Sequence, residues 1–433
     1  MNFITLKPIH LINGTIKLPG SKSISNRVLL LSSMAKGTTT LINLLNSDDI
    51  KYMFNALNKL NIVFNLTKNK TRCQINGTGK SLYSNKKLKI FLGNSGTSMR
   101  FLTAALSLSK NNIILTGNKR MKKRPIGHLV DALRCCGAKI NYLNKKNYPP
   151  IHLNGGFIGG IISLDGSISS QFLSAFLMIS PLAKKDTTIT IKNKLVSKPY
   201  IDMTITLMKT YGVLVENYKY QIFFIKSQQQ YTSPNNYYIE GDASSASYFL
   251  AAAAIKGGKV RVIGVGRNSL QGDIKFANIL KKMGAIIRWN NNSIECEKFI
   301  LKGININMNS TPDIAMTIAL VAIFAKGKTI IKNIYNWKIK ESDRLHTIST
   351  ELRKIGAKIK KGNDYIHIYP PKKINYARIK TYDDHRIAMC FSLIALSDTP
   401  VTILNCNCVK KTFPNYFNEF IKLSWNNSFK YLY

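Results

Sequence analysis

Apolar and β-branched stretches alternate along the chain, and the alternation repeats. Six stretches are apolar on nearly every helical face, which is typical of buried helices: SNRVLLLSSMA, SMRFLTAALSLS, SSQFLSAFLMIS, SASYFLAAAAI, IAMTIALVAIFA and RIAMCFSLIAL. A β-branched run follows each of them and predicts a strand: TTTLI, NNIIL, TTITI, KVRVI, KTIIK and TPVTI. The junctions lie 70 to 75 residues apart, at Lys36, Lys110, Lys185, Lys256, Lys326 and Ser397. The spacing predicts six copies of one structural unit.

A second, amphipathic helix-strand series runs out of phase with the first. It consists of LNKLNIVF, LRCCGAKI, MKTYGVLV, LKKMGAII and LRKIGAKI. Its turn residues recur every 72 to 76 positions, at Asn61, Gly137, Gly212, Gly284 and Gly356. Gly or Asn at such a place is typical of a left-handed helix end. A sixth copy is expected to begin near Pro414 and to run into the C-terminus.

Six copies with two helices and several strands each predict an α/β fold. Three copies per globule give two domains of about 215 residues, within the usual domain size. The turn-rich segment SPNNYYIEGDASS separates the third and fourth copies. The spacing leaves the first strand, before Pro19, open to either globule. We assign it to the second, so that the predicted domains are residues 21–239 and residues 1–20 together with 240–433.

The composition is that of a folded protein with an unusual charge. Hydrophobic residues make up 45% and charged residues 19%, but 63 Lys and Arg against 21 Asp and Glu give a net charge of +42. Such a charge suggests nucleic acid or an anionic membrane as a partner. The basic residues are scattered, however, and the abundant Lys, Asn and Ile share A/T-rich codons, so compositional drift explains most of the charge. The scarce acids are the more informative residues.

Cysteine and apolar patterning point to a soluble cytoplasmic protein that does not bind a membrane. Seven Cys without C-x-x-C spacing argue against disulfides or a zinc cage and fit a reducing compartment. The N-terminus lacks a signal-peptide pattern, and no apolar stretch reaches the ~20 residues of a membrane span. The six His show no paired metal spacing, so no metal site is expected. Cys135 and Cys136 are predicted within a helix, and Cys406 and Cys408 in a loop.

Small polar or acidic clusters precede the apolar helices. They are Gly20–Ser23, Gly93–Thr97, Gly166–Gln171, Gly241–Ser245, Thr311–Asp313 and Asp383–Arg386. N-capping alone would explain any one of them. Helix N-termini also suit phosphate and carboxylate ligands, and added Lys and Arg would trap polyanions. Among such cations Asp313 and Glu341 are candidates for acid-base catalysis, or else members of structural ion pairs.

Long strings around these clusters resemble the 5-enolpyruvylshikimate-3-phosphate synthase family from about Leu11 to Phe420. The strings are LPGSKSISNR, FLGNSGTSMR, KRPIGHLVDALR, DGSISSQFL, SKPYIDMT, EGDASSASYFLAAAAIKGG, GRNSLQGD, YNWKIKESDRL, YDDHRIAMCFSLIALSDTP and KKTFPNYF. The resemblance implies an enolpyruvyl transferase-like inside-out barrel of two domains. Each domain would have three βαβαββ repeats, with helix N-termini facing a cleft that holds the active site.

The implied reaction transfers the enolpyruvyl group of phosphoenolpyruvate to the 5-hydroxyl of 3-phosphoshikimate through a tetrahedral intermediate and releases phosphate. It serves chorismate and aromatic amino acid synthesis. It needs no cofactor and no metal, and its partners are these two anionic small molecules. We expect a monomer with no specific nucleic-acid partner.

The resemblance also implies site residues. The 3-phosphoshikimate ligands would come mainly from residues 21–239: Lys22, Ser23, Arg27, Ser169, Ser170, Gln171, Ser197, Tyr200, Asp313, Asn336 and Lys340. The phosphoenolpyruvate ligands would be Lys22, Asn94, Gly96, Arg124, Gln171, Arg344, Arg386 and Lys411. Asp313 is assigned as base, Glu341 as acid and Lys22 as the residue that stabilises charge, although packed groups titrate together and leave open which of them moves each proton.

Two rivals and one open point remain at this stage. UDP-N-acetylglucosamine enolpyruvyl transferase shares the implied fold, but its loop Cys nucleophile has no convincing counterpart here. A nucleic-acid-binding protein of related repeat fold would use the +42 charge, but no basic stripe with interleaved aromatics supports it. Ser95, Ser98 and Phe101 depart from the commonest bacterial pattern and leave the response to glyphosate-like competitors open.

Overall fold

The computed structural model describes residues 2–424, and its internal contacts divide the chain into two compact units. We call Gly20–Ile239 the central unit, because it lies in the middle of the sequence. We call Met1–Pro19 with Glu240–Tyr433 the terminal unit, because both ends of the chain belong to it. Each unit is described by itself.

Twelve α-helices occur in residues 2–424. They are α1 Lys22–Met34, α2 Asp48–Lys59, α3 Gly96–Ala105, α4 Gly127–Cys135, α5 Ser170–Ile179, α6 Lys198–Thr210, α7 Ala243–Lys256, α8 Lys275–Met283, α9 Ala315–Val321, α10 Arg344–Lys354, α11 His385–Phe391 and α12 Tyr416–Lys422. The odd-numbered helices are formed by the six apolar stretches. They are buried along almost their whole length, as the sequence predicts. None of the helices in this range is long and apolar enough to cross a membrane.

The same part of the chain forms 23 strands. The first fourteen are β1 Phe3–Leu6, β2 Gly14–Lys17, β3 Lys36–Ile42, β4 Val63–Leu66, β5 Arg72–Thr78, β6 Leu88–Phe91, β7 Ile113–Thr116, β8 Ile140–Tyr142, β9 Ile151–Leu153, β10 Gly160–Asp165, β11 Thr187–Lys192, β12 Glu216–Tyr218, β13 Ile222–Ile225 and β14 Asn236–Tyr238. The others are β15 Lys259–Ile263, β16 Ile286–Trp289, β17 Ser293–Glu297, β18 Asn305–Asn307, β19 Thr329–Lys332, β20 Lys358–Lys361, β21 Tyr365–Tyr369, β22 Ala377–Lys380 and β23 Val401–Leu404.

Five of the six small sheets share one four-stranded topology, and the sixth, β22-β23-β1, has the first three strands of the same order, which confirms the six-copy prediction. In the second copy β6 pairs in parallel with β7, β7 pairs antiparallel with β9, and β9 pairs antiparallel with β8. With α3 and α4 between the strands, this copy is a βαβαββ unit. The third and fifth copies have the same order, β10-β11-β13-β12 and β18-β19-β21-β20. The fold is therefore a two-unit repeat architecture with three copies in each unit.

Three copies borrow a strand from a distant part of the chain. The first copy takes β14 as the parallel partner of β3. The last strand of the central unit therefore lies in the same sheet as its first strand. In the terminal unit β2 pairs in parallel with β15 of the fourth copy. The strand β1 pairs antiparallel with β23 of the sixth copy, from Phe3 opposite Leu404 to Leu6 opposite Val401. The N-terminal segment thus contributes to two sheets of the terminal unit.

The predicted turn residues of the amphipathic series all adopt positive φ. The values are 58° at Asn61, 93° at Gly137, 82° at Gly212, 118° at Gly284 and 95° at Gly356. Gly284 ends α8, and its backbone N–H bonds to the carbonyls of Leu280 and Lys281. These left-handed helix ends turn the chain into the next strand.

Two cysteine predictions differ from the structure. Cys135 is the last residue of α4, as predicted, but Cys136 is its C-cap and lies one residue beyond the helix. Cys406 and Cys408 lie in a 3-10 helix, Cys406–Lys411, and not in a loop. Short polar residues and paired lysines obscure this helix in the sequence, because six residues of 3-10 helix are too few to show a hydrophobic period.

Candidate active site

In the central unit, the first turn of α1 carries two predicted ligands. Ser21 caps the helix, because its hydroxyl accepts from the backbone N–H of Ile24. Lys22 follows at the first helical position, where the N-terminal partial charge favours anions. Its Nζ lies 3.8 Å from Oδ2 of the buried Asp49. Asp49 therefore directs the Lys22 ammonium group, a role that sequence reasoning missed.

Arg27 lies one turn further along α1 and is buried among helices. Its Nε donates to Thr204 Oγ1 at 2.8 Å and its Nη2 to Ser174 Oγ at 3.1 Å. Nη1 donates to the carbonyl of Ser23 at 2.9 Å, and the guanidinium lies over the ring of Phe101. Desolvation by burial lowers the pKa of Arg27 to about 10. These contacts give Arg27 a structural role that joins α1, α5 and α6, while its role as a substrate ligand stays a prediction.

The start of α3 brings Gly96 against two arginines. A Cβ at Gly96 would lie 2.5 Å from Arg124 Nη2 and 2.6 Å from Arg100 Nη1. Arg124 is buried, and its Nη1 donates to the carbonyl and to the side-chain oxygen of Asn94, at 3.1 and 3.3 Å. Arg100 Nη1 donates to the carbonyl of Gly96 at 2.8 Å. A side chain at position 96 would therefore displace a guanidinium group.

The starts of α1, α3 and α5 are linked by side chains. Ser98 Oγ donates to Asn26 Oδ1 at 3.0 Å, and Gln171 Nε2 donates to Thr97 Oγ1 at 3.3 Å. Ser169 caps α5, because its hydroxyl accepts from the Gln171 N–H. The predicted ligands of these three helices therefore lie at one end of the central unit.

Ser197 and Tyr200 begin α6, and Ser170 begins α5. Ser197 is buried and has a left-handed backbone with φ of 56°. The Tyr200 N–H donates to the carbonyl of Ser197 at 3.0 Å. The carbonyl of Tyr200 accepts from Arg27 Nη2 at 3.4 Å. The contact of Tyr200 with Arg27 ties the start of α6 to α1.

In the terminal unit, three cations surround Asp313. Its Oδ1 accepts from Arg344 Nη1 at 2.9 Å and lies 3.5 Å from Lys340 Nζ. Its Oδ2 accepts from Arg386 Nη2 at 3.0 Å. Burial on its own would raise the pKa of Asp313, but Arg386, Lys340 and Arg344 outweigh it and hold this pKa well below its ordinary range. Asp313 is a carboxylate at any physiological pH.

Glu341 shares one of these cations. Its Oε2 accepts from Arg344 Nη2 at 2.9 Å, and its Oε1 lies 3.4 Å from Lys411 Nζ. Both Glu341 and Lys411 are buried. The structure thus brings the two predicted catalytic carboxylates to one guanidinium group, that of Arg344.

Arg344 is the first residue of α10, and Asp384 fixes it. Arg344 Nε and Nη2 donate to Asp384 Oδ2 and Oδ1 at 2.8 and 3.3 Å. Asp384 also caps α11, because its Oδ1 accepts from the Arg386 N–H at 3.0 Å. Burial opposes the charge of Arg344, but Asp384, Glu341 and Asp313 together raise its pKa above the ordinary value. The sequence flagged Asp384 within an acidic cluster, but nothing in its spacing showed that it pairs with Arg344.

A 3-10 helix, Tyr335–Ile339, carries Asn336 and leads into Lys340. Trp337 Nε1 donates to the carbonyl of Pro312 at 2.8 Å, which holds the Asp313 segment against this helix. Asn336 is buried, and its Oδ1 has no hydrogen-bond partner among the described residues. A buried amide without a partner is the kind of group that a ligand satisfies.

The described residues include no cluster of metal ligands, and the pKa of Cys136 shifts away from that of a nucleophile. Within residues 2–424, no group of three or more His, Cys, Asp and Glu side chains could hold a metal ion. Burial raises the pKa of Cys136, with the neighbouring Cys135 adding to the effect. A nucleophilic cysteine needs the opposite shift. Cys136 therefore does not fit the nucleophile that a UDP-N-acetylglucosamine enolpyruvyl transferase would need.

The class is that of a repeat-built α/β enzyme in which cations hold a pair of buried carboxylates. A model of the family EPSP synthase (3-phosphoshikimate 1-carboxyvinyltransferase) matches residues 6–420, and the chain belongs to that family. A relative from Xenorhabdus nematophila, named 3-phosphoshikimate 1-carboxyvinyltransferase, is 61% identical over 98% of this chain and 99% of its own length.

Solved structures agree with this assignment. EPSP synthase from Acinetobacter baumannii superposes with a TM-score of 0.80 at 27% identity, over 98% of both chains. The enolpyruvyl transferase NikO from Streptomyces tendae has a TM-score of 0.75 over 97% of both chains. At 13% identity, that second likeness concerns the fold alone.

Proposed function

We propose that this chain transfers the enolpyruvyl group of phosphoenolpyruvate to the 5-hydroxyl of 3-phosphoshikimate and releases phosphate. Family membership supports the reaction. The observation that carries the proposal in this chain is the pair Asp313 and Glu341, both bonded to Arg344 and each paired with a further cation. Two carboxylates among cations are suited to acid-base chemistry on anionic substrates.

The chemistry consists of an addition followed by an elimination. In the addition, Asp313 takes the proton of the 5-hydroxyl, whose oxygen bonds to C2 of phosphoenolpyruvate, while Glu341 protonates C3. The elimination breaks the bond between C2 and the phosphate oxygen and returns a methyl proton to a base. Lys22 stabilises the charge that develops on the way. No step consumes an oxidant, a reductant or a metal.

The cations around Asp313 have a further consequence for its role as base. A carboxylate with a strongly lowered pKa is a poor proton acceptor. Arg386 and Lys340 are assigned to the anionic groups of the two substrates, which compete with Asp313 for them. Substrate binding would therefore raise the pKa of Asp313 and activate it only in the loaded enzyme.

The remaining ligand assignments belong to the same proposal. The ligands of the central unit are Lys22, Ser23, Arg27, Asn94, Gly96, Arg124, Ser169, Ser170, Gln171, Ser197 and Tyr200. Those of the terminal unit are Asp313, Asn336, Lys340, Arg344, Arg386 and Lys411. We also propose that residues 21–239 and residues 1–20 with 240–433 act as the two domains, and that the enzyme is a cytoplasmic monomer.

A phosphate-release assay with both substrates tests the reaction. We expect turnover by the native chain and a loss of kcat of about 10²-fold or more in D313N and in E341Q, the usual range for removal of an acid or base. D131N is the control, because Asp131 is an exposed aspartate of α4 whose ion partner is Arg134. No turnover by the native chain, or equal kcat for all four proteins, would refute the proposal.

A further inference from the structure

One buried carboxylate of the terminal unit has no part in the proposed chemistry. Asp273 lies in a 3-10 turn, Gly272–Ile274, and is 3% exposed. A buried acid costs free energy unless other groups compensate its charge. The groups that contact Asp273 at the start of α7 therefore indicate what it does.

Hydrogen bonds lead from Asp273 to the proposed base in three steps. The hydroxyl of Ser244 donates to Asp273 Oδ2. The same Ser244 oxygen accepts from Arg386 Nη2 at 3.2 Å. Arg386 Nη2 also donates to Asp313 Oδ2 at 3.0 Å. Asp273, Ser244, Arg386 and Asp313 thus form a continuous relay.

We propose that Asp273 is a positioning residue that acts through Ser244 to fix the Arg386 guanidinium between Asp313 and the anionic substrate. This inference rests on the proposed function, because it takes Arg386 as a ligand of phosphoenolpyruvate. It assigns to Asp273 no contact with substrate.

The direction of the relay follows from the chemistry of Ser244. A hydroxyl has one hydrogen, and an ionised Asp273 can only accept it. The lone pairs of Ser244 then point at Arg386, which can only donate. With Asp313 accepting from the same Nη2 and Tyr248 from Nη1 at 3.3 Å, the planar guanidinium group has its orientation set by three oxygens.

The segment before Asp273 is held in place before any ligand arrives. Gln271 Oε1 accepts from the Ala243 N–H at 3.1 Å, and Gln271 Nε2 donates to the carbonyl of Gly241 at 2.6 Å. Nε2 also donates to Glu240 Oε2 at 3.0 Å. These bonds fasten the turn to the start of α7, where Ser244 lies. Asp273 is therefore part of a preformed support.

Asp273 changes charge in the pH range in which an enzyme works. Desolvation by burial and the charge of Asp313 raise its pKa to about 6, with Asp242 adding to the rise and Ser244 and Arg386 opposing it. These are the charged and polar groups that face Asp273 from the start of α7, from the Asp313 segment and from α11. Above this pKa the carboxylate orients Ser244, and below it the neutral acid can donate to Ser244 and release the orientation.

The test compares D273N, S244A and the double variant with the native chain. The readouts are KM for each substrate and kcat/KM from pH 5.5 to 7.5. D273N keeps an acceptor but removes the charge. E351Q is the control, because Glu351 is equally buried but bonds to Lys354, Tyr382 and the backbone of Lys380, away from the relay.

We expect D273N to raise KM for phosphoenolpyruvate about tenfold at pH 7.5, as misplacement of a binding group does, with KM for 3-phosphoshikimate nearly unchanged. The ratio of native to D273N kcat/KM should approach one below pH 6, because native Asp273 is then neutral. Substrate titration cancels in that ratio. The double variant should be no worse than S244A, since both residues act in one chain.

Two outcomes would overturn the role of Asp273. One is a lower melting temperature in D273N with unchanged KM and a pH-independent ratio, as expected for E351Q. The other is a double variant whose loss of kcat/KM equals the combined losses of D273N and S244A. Calorimetric binding of phosphoenolpyruvate separates this inference from the proposed function. A native chain without turnover refutes the function, whereas equal phosphoenolpyruvate affinity in native and D273N proteins refutes the relay.

Discussion

Asp384 binds Arg344 through two nearly parallel hydrogen bonds, Nε to Oδ2 at 2.8 Å and Nη2 to Oδ1 at 3.3 Å. Both side chains are almost fully buried. Bidentate pairs of this kind fix the plane of the guanidinium group as well as its position. Since Arg344 also donates to Asp313 and Glu341, the geometry of both proposed catalytic carboxylates depends on Asp384.

Removing Asp384 should therefore destabilise the protein as well as the site. We expect D384A to lower the free energy of unfolding by about 3 kcal/mol, because it removes one partner of a buried ion pair and the cap of α11, although Asp313 and Glu341 still bond to Arg344. Urea denaturation at pH 7 measures it. The control is D398A, which breaks the pair of Lys256 with an Asp398 side chain that is 92% exposed. Its expected cost is below about 1 kcal/mol, and an equal loss in both variants would contradict the prediction.

The lowered pKa of Asp313 predicts a particular pH dependence of stability. A carboxyl with a lowered folded-state pKa stabilises the fold above its unfolded pKa of about 3.9 and loses this contribution as the pH falls further. The native chain should thus exceed D313N in stability by a constant amount above about pH 7, where Asp273, whose pKa is raised to about 6 by burial and by the charge of Asp313, is ionised in both proteins. The gap should shrink below about pH 4. Denaturant titrations across this range check it, and a gap that varies above about pH 7 would argue against the assignment.

The contact of Gly96 with two guanidinium groups predicts a substrate-specific effect. In G96A the new methyl group would push Arg124 or Arg100 aside. We expect KM for phosphoenolpyruvate to rise by at least about tenfold. Stability should change little, because alanine favours a helix more than glycine does.

Steady-state kinetics and thermal melts of G96A and G127A separate these effects. Gly127 also begins a helix, but the three atoms nearest to its Cβ position, at 2.6 to 2.9 Å, all belong to the side chain of the exposed Asn147 and not to an arginine. G127A should keep the native KM. A rise in KM of equal size in both variants would show that the Gly96 effect is not local.

The left-handed helix ends should differ in their tolerance of a side chain. Alanine at Gly212, with φ of 82° and open space around its Cβ position, should cost about 1–2 kcal/mol from backbone strain alone. Alanine at Gly284 should cost more, because its Cβ would lie 2.3 Å from the carbonyl oxygen of Ile300. Urea denaturation of G212A and G284A compares them. Equal losses would mean that the backbone moves away at Gly284.

The sequence predicts the parts of this protein that depend on local periodicity. The six apolar helices, the strands after them and the left-handed Asn61 and Gly residues all follow from spacing and residue type. The borrowed strands do not, because nothing in Phe3–Leu6 indicates a partner near residue 401. Asp49 and Asp384 were missed as partners of Lys22 and Arg344 for the same reason, since their contacts join residues 27 and 40 positions apart.

The borrowed strands also set an order of events during synthesis. The central unit has all of its strands once β14 leaves the ribosome, so it can fold while the rest of the chain is still being made. Strands β1 and β2 are made first, yet their partners β23 and β15 appear much later. At translation rates of about 5–20 residues per second, about 20–80 s pass between the synthesis of β1 and that of its partner β23. During that time the first residues of the nascent chain expose unpaired strand edges, which can pair with other chains.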